Sequence, residues 1–495
     1  MSAPVGAPNS RIAAHTVLSM IAVAALGLTR LIFALLVGQR LGADALGTVN
    51  TQLSIATFAS LVFATSTSLS ASKFISAALG GKDEVGARQA LLTLLRWCAL
   101  GTAAAVAVLA VGLPIAFPRL SVAQVAATLI LLVAYSAYLF VRGAQYGYGT
   151  VRRYAVLETL CDAVSIAAAV VVVFFGLDLI LLLPFVVGYT LFTVFGWIGL
   201  PKPARSHVAA PALRTELRRE MLGYTGWGGL GVLASTGFLQ LSMVFAYHFN
   251  TPFEAGLYAS AFNLTVPAFF VPRALSMALF PSMAGAFGRG DAAEVRRQVD
   301  GATRFLLVGG LPFFAAGVFF AEPVLRLTFG AEFAAAHLVL ELLLAATYVM
   351  VVGIPAVNAF SATHRKAVRI PATGSVLGLL LGIICWVLLG PRYGIAGIGV
   401  GYLAGVILTA GISLIAGWRR WHLPWSMLFL RAGLVIAVAV ALRIAATAAG
   451  DDLLLRFGAT LAVAACTVVF CLPEVRRIAR QLSALVGALR RRVAR

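Results

Sequence analysis

Charge is what this chain has least of. Only 11% of its 495 residues are Asp, Glu, Lys or Arg, and only 18 are acidic. Soluble domains carry roughly 25% charged residues, so every water-soluble class is excluded. Cysteine is limited to Cys98, Cys161, Cys385, Cys466 and Cys471, all in apolar stretches without ligand-like spacing. A disulfide framework and a metal site are therefore not expected, and the five read as packing residues. Catalytic signatures are missing as well: there is no Walker A loop, no metal-ligand spacing and no Ser/His/Asp set in the loops. Long loops are lacking too. The longest outer one is about a dozen residues near Glu322 to Phe333, too short to fold separately.

What fills the chain instead is apolar sequence, 61% of all residues. Apolar runs of membrane-spanning length recur from Ile12 to Leu472, which predicts an all-α polytopic membrane protein. The runs are too long and too rich in Ala and Leu for strands. Fourteen transmembrane helices are expected, near 12–38, 48–79, 89–113, 121–143, 154–175, 180–200, 221–248, 256–287, 299–320, 334–362, 370–390, 395–417, 426–447 and 453–472. The first run is long and has no convincing cleavage site, so it reads as a retained span rather than a signal peptide.

The net charge of +20 raises nucleic acid as a partner, and its distribution excludes it. Twenty-five cations fall in alternate short loops and the tail, whereas the opposite turns hold only Arg40, Arg119, Arg326 and Arg392. That asymmetry predicts both termini in the cytoplasm. Gly47, Gly81, Arg88 and Gln89 return 209 residues later as Gly256, Gly290, Arg297 and Gln298. Six spans separate the second from the eighth, an even number, so the two copies run parallel. The expected plan is an N-terminal six-helix bundle (1–200), a Pro-marked basic cytoplasmic linker (201–220), and a second six-helix bundle (221–417). Two added helices (418–472) and a basic amphipathic tail (473–495) complete it.

Within the spans a few polar groups stand out. Arg30 and Arg273 lie inside spans, Lys73 about two turns from the inner end of its helix, and Arg142 at an inner end. Cations there are costly unless paired or wet, so they mark either an anion-binding cavity or structural ion pairs; Lys73 and Arg142 also suit snorkelling and interface anchoring. Glu158 and Asp162 share one helix face, and Glu341 lies in the tenth span. Such carboxylates serve either H+ or Na+ coupling or pairing with buried arginines. Asn50, Gln52 and Asn263 could bond sugar hydroxyls, while the many Ser and Thr residues around them suit close helix packing.

The hairpin at 30–89 resembles the Wzx-type polysaccharide flippases of the MATE-like MOP superfamily. An arginine in the first span precedes a turn of the form R-LG-x-x-x-x-G, here Arg40, Leu41, Gly42 and Gly47, and a charged loop follows each copy, Gly80 to Arg88 and Gly288 to Arg297. The resemblance implies a non-enzymatic flippase that uses no cofactor. It would move polyprenyl-pyrophosphate-linked oligosaccharide from the inner to the outer leaflet for cell-surface polysaccharide assembly, by alternating access through a cationic cavity. Arg30, Lys73, Arg273 and Arg142 would hold the head group. Membrane lipids and polysaccharide assembly proteins would be partners. Lipid II flippases share this architecture and remain an alternative. Drug exporters of the superfamily commonly carry acidic residues in the first or seventh span, and neither span has one here. A major-facilitator transporter fits poorly, because Leu79, Glu84 and Ala87 interrupt its loop signature. A membrane glycosyltransferase or polymerase would need larger outer loops.

Overall fold

The computed structural model describes residues 8–205, 215–363, 367–450 and 452–477, with side chains from Ala25 onward except at Arg205 and at positions within 227–281 that include 269–275. Among the described residues there is no strand. Sixteen α-helices follow one another in the described residues: α1 Pro8–Ser60, α2 Ser66–Gly80, α3 Glu84–Ala116, α4 Val122–Gly147, α5 Val151–Phe174, α6 Leu183–Ile198, α7 Thr215–Phe249 and α8 Pro252–Leu264. Then come α9 Phe270–Gly288, α10 Ala292–Arg304, α11 Gly310–Phe319, α12 Ala321–Thr328, α13 His337–Ala362, α14 Arg369–Arg420, α15 Ser426–Ala448 and α16 Leu453–Phe470.

A bilayer core needs about 20 helical residues per crossing, and the expected fourteen passes can be traced. Among the described residues ten segments are long and apolar enough to cross. Two of them hold two passes each, because α1 turns back at Gly42 and α14 at Gly394. Both glycines have positive φ, +80° and +59°, a backbone that a Cβ would strain. Helix α7 and the broken pair α8–α9 supply the other two passes. That pair is interrupted by a 3₁₀ turn at Val266–Phe269, where Pro267 removes a backbone donor.

Packing divides the chain into two compact units. The first comprises residues 1–267 with 328–333 and 385–398, and the second takes the remainder. This division does not follow chain order, since α7 and α8 pack in the first unit. There the second limb of α1 lies against α8 at the two glycines of the repeat. A Cβ on Gly256 would fall 1.9 Å from the Ala43 carbonyl oxygen, and one on Gly47 would fall 2.1 Å from that of Pro252. Lipid tails are as apolar as leucine, so helices in a bilayer associate through such close contacts and through polar bonds rather than through hydrophobic exclusion. Ser68 donates to the Leu139 carbonyl and Ser76 to that of Gly147, tying α2 to α4. The Ser and Thr residues of this region act as packing groups.

In the second unit, α13 packs on α9, α10 and α11, and α16 packs on α11 and α15. Ion pairs secure the last two helices. Arg443 of α15 meets Glu341 of α13 at 2.7 Å. Arg456 of α16 meets Glu322 of α12. Arg304 of α10 bridges Asp300 at 2.8 Å and Glu474 at 3.1 Å, and the Trp425 indole donates to Asp300 at 2.9 Å.

Candidate functional site

Helical spacing converges on one place in the first unit. Tyr135, Tyr138 and Arg142 lie three and four residues apart on α4. Tyr154, Glu158 and Asp162 lie four apart on α5, and Phe185, Tyr189 and Phe192 four and three apart on α6. Each set therefore shares one helix face. Together with Arg30 and Thr57 of α1 these faces form a tyrosine-rich cluster. The rings of Tyr138 and Tyr189 are 4.8 Å apart, those of Tyr135 and Tyr189 5.0 Å, and those of Tyr135 and Tyr138 5.7 Å.

Two arginines flank the cluster. Arg30 donates from Nη2 to the Tyr189 hydroxyl at 3.4 Å and to Thr57 Oγ1 at 3.5 Å, and its guanidinium lies 5.5 Å from the centre of the Tyr135 ring. Arg142 donates from Nη1 to the Tyr138 hydroxyl at 3.2 Å, with the Tyr154 ring 5.4 Å away. The Tyr138 hydroxyl in turn donates to Glu158 Oε1. Hydroxyls and ring faces hold both guanidiniums, with the carboxylates of Glu158 and Asp162 near enough to act on them electrostatically but not in direct contact. Among the described residues no carboxylate lies within ion-pair distance of either. Among the described residues, the second oxygens of Glu158 and Asp162 and the Nε of Arg30 are buried without hydrogen-bond partners. An uncompensated polar group costs several kcal/mol at membrane depth, and these three atoms carry that cost within the cluster.

The other residues singled out in the sequence lie elsewhere. Lys73 is exposed, sits 3.6 Å from Glu220 and lies over the rings of Tyr224 and Phe74. Arg273 lies on α9, with its side chain outside the described residues. Asn50 and Asn263 are bonded to each other, Nδ2 of Asn263 donating to Oδ1 of Asn50 at 3.0 Å, and each also donates back along its own helix. Gln52 donates to the Gln124 carbonyl at 2.7 Å and to Thr128 at 3.1 Å. All three amides thus join helices within the first unit. Glu341 is held by Arg443 in the second. The tyrosines were not singled out in the sequence. Their signal there is the spacing 135–138–142, which sets two phenols on the face of an arginine.

No protein-family model matches the chain, and no curated protein sequence does. Solved structures do match in fold. The lipid II flippase MurJ, in an inward closed conformation, superposes with a TM-score of 0.68 at 13% identity, over 94% of this chain and 99% of that one. A multidrug resistance MATE family transporter of the MOP superfamily, inward-facing, gives 0.68 at 15% identity, over 80% of this chain and 94% of its own. A MOP superfamily transporter from Pyrococcus furiosus, described for the reverse polarity of its binding pocket, gives 0.60 at 15% identity, over 83% and 95%. The chain has a MATE- and MurJ-like fold.

Proposed function

We propose that this protein is a flippase for polyprenyl-pyrophosphate-linked oligosaccharide, working by alternating access. The observation that carries the reading is Arg30. It lies inside a membrane-spanning helix, held by two hydroxyls and a ring face, with no carboxylate in ion-pair contact among the described residues. Placing an arginine there costs about 2.5–3.5 kcal/mol on insertion scales, and a dianionic pyrophosphate supplies the missing counter-charge through paired N–H···O bonds. Arg142 sits at the other side of the same cluster, and Arg273 joins these two on sequence grounds. Tyr138 and Tyr189 are buried, and the half-exposed ring of Tyr135 is the one of the three that offers a flat face of the kind on which sugar rings pack. Glu158 and Asp162, each with an unpartnered oxygen, are the places where H+ or Na+ would couple to transport.

A lipid II flippase is the second reading. What favours it is the span of the MurJ match, 94% of this chain against 80% for the multidrug MATE structure. In both readings the head group is a pyrophosphate, so Arg30 has the same role.

The test is complementation of strains lacking either a surface-polysaccharide flippase or the lipid II flippase, with membrane protein levels measured in parallel. A charge-assisted hydrogen-bond pair contributes about 1.5–3 kcal/mol, so Arg30→Ala is expected to lower flipping by about 10- to 100-fold at normal protein levels. Arg30→Lys, which keeps the charge and loses the fork, is expected to fall between. Rescue of one strain and not the other assigns the substrate, and full activity of Arg30→Ala in both strains overturns the head-group reading.

A further inference from the structure

A second feature of the first unit faces away from the tyrosine cluster. Between α5 and α6 runs an open groove of about 830 Å³. Val156, Leu160 and Val164 line it from α5, and Leu191, Phe195 and Ile198 from α6. Most of these are exposed at the surface of the unit, whereas Glu158 and Asp162, on the other face of α5, are buried. At one end of the groove stand Arg152 and Arg153. Arg153 reaches across to α6 and donates to the Gly199 carbonyl at 3.3 Å. Glycine at 199 leaves it room, since a Cβ there would sit 2.7 Å from the Arg153 Nε. Neither arginine meets a carboxylate among the described residues.

We infer that this groove binds an anionic phospholipid, with one acyl chain along the α5–α6 seam and the phosphate on Arg152 and Arg153. Length selects this occupant. Twelve residues of helix separate Arg152 from Val164, a rise of about 18 Å, close to the ~15 Å depth of one leaflet's hydrocarbon. A phospholipid chain anchored at the headgroup plane fills that distance, while a polyprenyl chain is far longer than the groove. Charge selects the headgroup. Two guanidiniums at the membrane interface favour a phosphate that bears net negative charge and gain little from a zwitterion, whose own cation opposes them. The inference stands apart from the transport reading, because it uses neither Arg30 nor the tyrosines.

Native mass spectrometry of the full chain, titrated with phosphatidylglycerol or phosphatidylcholine, tests it. Phosphatidylglycerol is expected to bind with at least fivefold preference, and each of Arg152→Gln and Arg153→Gln to weaken it roughly fivefold. Leu160→Trp, at an exposed groove position, is expected to block binding with both arginines intact. It decides the matter on its own should an arginine variant fail to fold. Equal binding of phosphatidylcholine, unchanged binding in all three variants, or displacement of phosphatidylglycerol by an equal amount of undecaprenyl phosphate each overturns the proposal.

Discussion

Arg30 and Arg142 were legible as cations inside or at the end of apolar runs, because a charge in such a run is conspicuous whatever the fold. Their partners were not, since a tyrosine in a membrane helix reads as bulk until tertiary structure brings its hydroxyl to something. Tyr138 is the clearest case, because its hydroxyl accepts from Arg142 and donates to Glu158. Tyr138→Phe preserves the ring packing and leaves the buried carboxylate without its donor. The expected cost is about 1–3 kcal/mol, read as a lower melting temperature in detergent, and Tyr138→Phe combined with Glu158→Gln should recover part of it. Asn50, Gln52 and Asn263 teach the converse. An amide in a span suggests a ligand when only the sequence is known, yet helix–helix bonding satisfies the same donors and is invisible without the neighbouring helix. Gly256 carries a second prediction at this scale. With the Ala43 carbonyl oxygen 1.9 Å from the place of a Cβ, Gly256→Ala must push α1 and α8 apart. Overpacking of this kind costs about 1–3 kcal/mol, whereas Gly288→Ala, where a Cβ meets nothing within 4 Å, is expected to leave the melting temperature unchanged.

Among the elements, the spans themselves were readable throughout, because hydropathy and length carry the whole signal and each helix closes its own backbone bonds. What holds one span to another was not. Glu341 was weighed as an ion-coupling group, and the structure pairs it with Arg443, while Glu322 and Glu474 pair with Arg456 and Arg304. These bonds fasten α15 and α16 to the body of the second unit. Breaking one partner of a buried pair strands the other, so Arg443→Leu and Glu341→Leu are each expected to cost about 3–5 kcal/mol, and the double replacement to cost less than either. A double-mutant cycle on melting temperature and membrane yield checks this. Additive losses would mean that the two residues do not act as a pair.

For the whole molecule, the uneven distribution of loop cations leads us to propose that both termini face the cytoplasm. Accessibility tags at 205, 293 and the C-terminus are expected to report the inside, and tags at 43, 326 and 392 the outside; finding 43 and 205 on one side would refute the fourteen-pass path. The amphipathic pattern of the tail falls mainly on residues beyond 477, outside those described. The repeat was legible as a 209-residue offset, but that its glycines Gly47 and Gly256 meet within one packed unit was not, because an offset in sequence carries no distance. The meeting of Gly47 with Gly256 bears on how the chain would respond to a cut. Its early and late parts are stitched within one compact body, since α7 and α8 pack against α1 and α2. A protease that severs the polypeptide between 205 and 215 would therefore leave two fragments that travel through detergent as a single particle, and two separately synthesised pieces broken at that point would have to find each other before either could finish folding.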